Sequence, residues 1–316
     1  MAIKIGTCSW AHKALTDSGR FYPPNVKTAE ARLRYYAGIF PTVEVDTSYY
    51  GIPTEQTSLQ WVERTPDDFT FHVKAFRLLT GHWADLKVLP PEVRADAAPH
   101  ASKGGRLYLS DLPADVRERL WGTFEQAVRP LHASGKLGTV LFQFAPWVVP
   151  NKAMFEHIRA CKDRLPDYQL SVEFRNRAWF DRRLEETLGF LRGLRIVYAA
   201  VDEPQGFPSS VPPVVDVTGP GAYVRFHGRN AEKWEAKVSD SSERFDWWHS
   251  DEELAEWVPR LEFLEREAGT VTVMFNTNWE DQGQQNARRL AKVLSERGLG
   301  GHVDRLQAIL AIPVRE

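Results

Sequence analysis

Five short segments of this chain run with a period of two and stop on a polar side chain, four of them alternating apolar with charged or ionisable residues. They are Thr42-Val43-Glu44-Val45-Asp46, Thr70-Phe71-His72-Val73-Lys74, Ser171-Val172-Glu173-Phe174-Arg175, Tyr223-Val224-Arg225-Phe226-His227 and Thr272-Val273-Met274-Phe275-Asn276. Weaker versions are Val140-Leu141-Phe142-Gln143 and Tyr198-Ala199-Ala200-Val201-Asp202. Side chains alternate along a strand, so Glu44 and Asp46 share one sheet face while Val43 and Val45 take the other. A parallel sheet covered on both faces should read as an almost unbroken apolar run. Charges recurring at the carboxyl ends of its strands therefore point to a site.

Strands are expected at about 3–9, 42–47, 69–75, 138–144, 168–175, 195–202, 222–227 and 270–276. Helices are expected near 28–39, 54–65, 113–134, 152–164, 181–193, 251–268 and 284–296. Ser250 and Glu253 form a capping box for the 251–268 helix. Eight strands alternating with helices predict a single (β/α)8 barrel domain over residues 1–316. A doubly wound open sheet is the alternative, but no G-x-G-x-x-G follows a strand, so no nucleotide cofactor motif is present. Three connections are unusual. Residues 76–112 form a long insert after strand three. Residues 203–221 hold five prolines and no helical pattern, so the sixth helix is expected to be irregular or absent. Residues 228–250 follow strand seven and carry Trp234, Phe245, Trp247 and Trp248. Loops this long in a compact domain are lids, binding loops or covers for the barrel mouth.

The formal charge of −2 does not announce non-specific nucleic-acid binding. Two cysteines, Cys8 and Cys161, cannot build a disulfide framework or a CxxC metal pattern. The chain enters a strand at Ile3-Lys4-Ile5 without a signal-peptide pattern, and no apolar run suits a membrane span. A cytoplasmic protein without a membrane partner is expected, with its oligomeric state open.

Within a barrel the strand-end groups converge on one mouth. Lys74, Arg175 and Arg225 suit a phosphate or carboxylate group. Glu44 and Glu173 are candidates for proton transfer, or for a glycosidase pair. The structural alternative is that each is fixed in an ion pair with Lys74 or Arg175. His227 is a candidate base or electrophile, followed by Gly228, which permits a sharp turn or a close approach. His72 is expected to lie deeper and to be structural. Cys8 has no neighbouring base in the sequence, and Ser9 lacks a G-x-S-x-G turn. Trp10, Asp46, Tyr49, Tyr50, Gln143, Asp202, Asn276 and Asn278 complete the candidate ligand-binding set. Glu44, Asp46, Glu173, Asp202 and His227 could also assemble a magnesium or manganese site.

Together these strand ends resemble a known family. Gly6-Thr7-Cys8-Ser9-Trp10, Phe21-Tyr22-Pro23, Glu44-Val45-Asp46-Thr47-Ser48-Tyr49-Tyr50, Val73-Lys74, Glu173-Phe174-Arg175, Arg225-Phe226-His227-Gly228 and Phe275-Asn276-Thr277-Asn278 are similar to the motifs of the YecE-like family, the domain of unknown function 72. The resemblance runs from Gly6 to about Leu294. It implies a TIM-type barrel and leaves the reaction open. One departure is that Thr277 separates Asn276 from Asn278, where the family pairs two asparagines. The expected function is an enzyme of hydrolase or lyase type acting on a small anionic ligand, a phosphorylated one included. The rivals are a glycosidase using Glu44 and Glu173, and a non-catalytic barrel. The latter would bind nucleic acid, the less favoured partner, or protein through Trp234, Trp247, Trp248, Arg229 and Lys233.

Overall fold

Eight parallel strands close into a barrel in this computed structural model, which describes residues 2–238 and 241–314. The strands are β1 (Ala2–Cys8), β2 (Thr42–Val45), β3 (Thr70–Lys74), β4 (Leu137–Gln143), β5 (Leu170–Glu173), β6 (Val197–Asp202), β7 (Ala222–Phe226) and β8 (Thr270–Phe275). Each strand pairs with its sequence neighbours, and β1 pairs with β8 to complete the ring. The expected (β/α)8 architecture is what the chain adopts.

The outer layer follows the helical periodicity closely. Helices cover Ala29–Ile39, Glu55–Glu63, Ala114–Ala133, Lys152–Arg164, Leu184–Gly193 and Gln282–Glu296. The capping box forms, with Ser250 Oγ accepting from Glu253 N at 3.1 Å and Glu253 Oε2 accepting from Ser250 N at 3.0 Å. The helix expected over 251–268 is split into Asp251–Ala255 and Val258–Ala268. Pro259 explains the break, because it has no N–H and its ring crowds the carbonyl of Ala255. Among the described residues, no helix joins β6 to β7. The insert after β3 is ordered by a helix at Pro91–Ala97 and a small antiparallel pairing of Ala84–Asp85 with Arg106–Leu107. The loop after β7 is described apart from residues 239–240.

The barrel interior has an apolar lower layer and a charged upper one. Cys8, Leu141, Val197, Ala199, Tyr223 and Met274 pack together inside it. Gln143, Arg225 and Asn276 stand two residues beyond Leu141, Tyr223 and Met274, so the same strand faces carry the polar layer. His72 also points inward, near the amino-terminal end. Its Nδ1 accepts from Thr139 N at 3.1 Å, and its ring lies over Gly138. A Cβ on Gly138 would stand 2.7 Å from His72 Nδ1 and 2.8 Å from Nε2. Gly138→Ala is therefore expected to cost roughly 1–3 kcal/mol, the range for overpacking a core. Denaturant unfolding checks this. Adding His72→Ala should recover much of the loss, whereas an unchanged or larger loss in the double variant would show that the ring is not what Gly138 avoids.

Candidate functional site

Arg225 of β7 organises the interior. Its side chain is fully buried, and its guanidinium meets two buried carboxylates from different strands. Nη2 and Nε donate to Glu44 Oε1 and Oε2 at 2.7 and 2.9 Å, a bidentate grip on β2. Nη1 donates to Glu173 Oε2 of β5 at 2.5 Å. Tyr223 Oη also donates to Glu44 Oε2, at 2.9 Å. The ion pairs expected as the structural role of Glu44 and Glu173 are thus real, but the shared partner is Arg225. Burial would raise the Glu173 carboxyl, yet Arg225, His227 and Arg175 outweigh it and hold the group well below the usual carboxylate range.

His227 belongs to the same network. Asn276 Nδ2 lies 3.0 Å from His227 Nδ1, and the Asn276 Oδ1 accepts from Asn278 Nδ2 at 3.0 Å. That orientation makes Nδ1 an acceptor and leaves the proton on Nε2, which donates to Glu173 Oε1 at 3.1 Å. Burial pushes the imidazole down to about 3, so it is neutral near pH 7. Both nitrogens are committed, and the side chain is fully buried. His227 therefore stands as an orienting group below the mouth. Gly228 makes both the turn and the close approach, with φ +83° and a hypothetical Cβ only 2.5 Å from Trp247 Cβ.

Above this layer lies a cavity of ≈ 390 Å3. Asp46, Tyr49, Tyr50, Lys74, Gln143, Arg175, Asn276 and Asn278 line it, so both asparagines flanking Thr277 reach it. Glu44, Glu173, Arg225 and His227 do not line it; they form its buried underside. Gln143 Nε2 donates to Glu173 Oε1 at 2.7 Å, and Arg175 Nη1 donates to the same oxygen at 3.2 Å. Those two residues connect the buried layer to the cavity. Lys74 Nζ pairs with Asp46 Oδ1 at 2.8 Å and stands 4.6 Å from the centre of the Tyr49 ring. Burial opposes both charges, but each keeps the other ionised: Asp46 is shifted down and Lys74 up.

Two candidates face elsewhere. Trp10 packs outside the barrel, its ring 5.7 Å from Trp61 and 6.3 Å from Phe71. The chain turns at Ser9, with φ 79°, before Trp10, so Ser9 lines the cavity and Trp10 does not. Asp202 points to the helical layer. It accepts from Trp257 Nε1 at 2.8 Å and Arg229 Nη2 at 2.8 Å, and lies 3.2 Å from His249 Nε2. Burial would raise its pKa, but His249 and Arg229 bring it down to about 2. The inward parity of β6 runs through Val197 and Ala199 to Glu203, one residue later. Glu203 is the inward carboxylate that the alternation pattern missed. Its Oε1 accepts from Val211 N at 2.7 Å, and Oε2 lies 3.4 Å from Arg175 Nη1. Burial pushes its carboxyl up to about 8 despite that cation.

Loops supply further groups, Phe245 and Trp234 from the aromatic set noted after strand seven and the others unforeseen. His12, Lys13, His82, Ser242, Arg244 and Phe245 also line the cavity. Burial, followed by the charges of Lys74, Arg77 and Arg175, lowers His82 to about 3. Trp234 is buried, with Arg175 stacked 4.6 Å from its ring centre. Arg229 is paired with Asp202 and Glu256, and Lys233 with Glu243. Most of the aromatic and basic groups in this loop therefore face inward partners. Among the described aromatics of the loop Trp248 is the exposed one, at 39%. The magnesium or manganese set is not assembled. Asp202 is on the other face, Glu44 and Glu173 are held by Arg225, and Asp46 by Lys74. Among the described residues, no three His, Cys, Asp or Glu side chains group closely enough to hold a metal. Cys8 is buried beside Glu44, and burial and that carboxylate push its thiol well up, away from nucleophilic thiolate behaviour. Among the described residues no helix is long and apolar enough to cross a membrane.

The same barrel occurs in solved relatives. A DUF72 family protein from Enterococcus faecalis V583 superposes with a TM-score of 0.74 at 26% identity, covering 93% of this chain and 95% of that one. One from Thermotoga maritima MSB8 gives 0.72 at 28% identity, covering 93% and 100%. In sequence, the UPF0759 protein YunF of Bacillus subtilis is 32% identical over 298 residues, 92% of this chain and 94% of that protein. UPF0759 protein YecE of Escherichia coli K12 is 32% identical over 120 residues, 37% of this chain and 40% of that protein. The model described as "Protein of unknown function DUF72" matches residues 4–307, which takes in every barrel strand but the first two residues of β1, and with them every strand-end group of the cavity and its underside: the chain belongs to the DUF72 family.

Proposed function

We propose that the chain is one barrel domain that binds a small organic anion at the carboxyl ends of its strands and acts on it by hydrolase- or lyase-type chemistry. The charge balance of the cavity carries this reading. Lys74, Arg175 and Arg244 line it, with Lys13 at its rim already paired to Asp17, and among the described residues Asp46 is the one acidic lining residue. Glu44 and Glu173 face the buried Arg225 beneath it, and the negative charge that one guanidinium leaves over is met by Arg175 at its contact with Glu173. Arg175 presents a planar fork suited to a phosphate or carboxylate, and Lys74 a point charge.

The proton-transfer role moves within the candidate set. Glu44 and His227 are sealed below the cavity, which also weighs against a glycosidase pair of Glu44 and Glu173. Asp46 reaches the cavity wall in its ionised form, so it is the carboxylate placed to accept a proton from a bound ligand, at a basicity that Lys74 lowers, and Lys74 is held as an ammonium able to neutralise developing negative charge. Glu173 orients Arg175 and Gln143. Tyr49 and Tyr50 offer ring faces to the organic part of the ligand.

Calorimetric titration with phosphate and small sugar phosphates tests the binding. Lys74→Ala and Arg175→Ala are each expected to weaken the interaction by roughly 1.5–3 kcal/mol, the range for hydrogen bonds to charged groups. Equal affinity in parent and variants would place the anion elsewhere, and no binding of any anion by the parent would end this reading.

A further inference from the structure

The insert after β3 builds a second cavity beside the first. Its Leu109 faces Trp121 of the following long helix, and Trp147, Val148 and Met154 from beyond β4 close the other side. The groove between them has a volume of ≈ 680 Å3 and a mostly apolar lining. Two large aromatics stand open to solvent there, Trp147 at 56% exposure and Tyr108 at 43%. Among the described residues no acidic one lines the groove; Arg117 and Arg164 are its charged members. Its size and character match a small-molecule site. It is concave and bounded by three chain segments, unlike the broad face of roughly 800 Å2 per partner that a stable protein interface needs.

The groove and the cationic cavity share a wall. Gly81 lines the groove, while its neighbour His82 lines the cavity. Pro146 lines the cavity, while its neighbour Trp147 lines the groove. Trp147 Nε1 donates to Gly81 O at 3.2 Å and ties the two segments together. Ring edges and faces run across the wall, from Tyr49 to His82 at 5.2 Å and from His82 to Trp147 at 5.4 Å. One molecule lying over these rings would have its charged end among Lys74 and Arg175 and its apolar end in the groove.

We propose that the groove receives the apolar arm of the same ligand, which makes the substrate class an amphiphilic anion such as an aryl or alkyl phosphate. This rests on the anion-binding reading of the neighbouring cavity. It also gives the long insert a role, since the insert supplies one side of the groove.

The test titrates inorganic phosphate, 1-naphthyl phosphate, octyl phosphate and neutral 1-naphthol into the parent, Met154→Asp and Trp147→Ala. Circular dichroism and thermal melting confirm that each variant is folded. At least one organic phosphate is expected to bind the parent roughly tenfold or more tightly than inorganic phosphate, as burial of a few apolar carbons provides. Which of the two is preferred tells a flat ring from a chain. Met154→Asp and Trp147→Ala should remove that advantage and leave the affinity for inorganic phosphate unchanged. Organic phosphates no tighter than phosphate, or an advantage that survives in both variants, would overturn the inference while leaving the anion site standing. If no phosphate binds but 1-naphthol does, with binding lost in Met154→Asp, the anion reading fails and the groove is an independent apolar site. A concentration-dependent dimer abolished by Met154→Asp would assign the groove to a second copy of the chain and also overturn the inference.

Discussion

Replacing Arg225 with methionine is expected to cost on the order of 3–5 kcal/mol of stability, the range for breaking a buried ion pair by removing one partner. The side chain is fully buried and satisfies carboxylates on two strands. Without it, Glu44 keeps the Tyr223 hydroxyl, while Glu173 keeps Gln143, Arg175 and His227. Glu44 is then the more exposed to an unpaired charge in a medium that solvates it poorly. Denaturant unfolding measures the effect. The triple variant Glu44→Gln, Glu173→Gln, Arg225→Met should be more stable than Arg225→Met alone, because it removes both negative charges with the cation. A loss below about 1 kcal/mol for the single variant, within the range of an exposed pair, would mean that water reaches this network. The barrel would then be more open than its packing indicates.

Glu203→Gln should raise stability in alkaline solution. The folded carboxyl is pushed up to about 8 by burial, against an ordinary value of 4.5. Between those two values the folded chain holds a proton that the unfolded chain has released. Stability of the parent therefore falls as pH rises from about 4.5 to about 8, and levels off above that. The full contribution is on the order of 3–5 kcal/mol at 1.36 kcal/mol per pH unit. Glutamine keeps an oxygen for the Val211 N–H and has nothing to titrate. Its unfolding free energy should lack this downward slope and exceed that of the parent at pH 8.5. Asp202 works with the opposite sign. Its pKa of about 2 adds stability that is present above about 3.8 and is lost as pH falls through 2. Parallel pH profiles for parent and Glu203→Gln would show that Glu203 is ionised and fully paired with Arg175. In that case Arg175 would have less charge to offer a ligand.

The period-two pattern was enough to bring many of the right side chains to one end of the barrel. Residues two apart on a strand share a face whatever the strand packs against. So Glu44 and Asp46, Glu173 and Arg175, and Arg225 and His227 could be placed inside from their spacing alone. Helix positions were legible for a similar reason, since an apolar stripe at intervals of three and four residues has one way to be buried. Pro259 marks where that reading was too coarse, because one missing N–H divides a helix whose apolar stripe runs on without a break.

Depth and partnership were not legible. Whether a strand-end charge reaches the cavity or lies beneath it depends on how far each strand is staggered against its neighbours once the barrel closes. Arg225 meets Glu44 across 181 residues of sequence, a pairing that no local pattern carries. β6 shows the weakness of parity without strong alternation. Tyr198-Ala199-Ala200-Val201 is apolar on both faces, so Asp202 and Glu203 were equally eligible, and only the burial of Ala199 with Tyr223 and Met274 chose Glu203. Loop residues such as His82, Arg244 and Trp234 have no period at all, and their paths are set by what they pack on. The alternation of strands and helices and the inward face of most strands were readable from local spacing, because these follow from bond geometry and the burial of apolar stripes. Which charges cancel, which remain facing the cavity and where the insert opens a groove were settled by the closed barrel, because ion pairing and loop packing depend on distances between residues far apart along the chain.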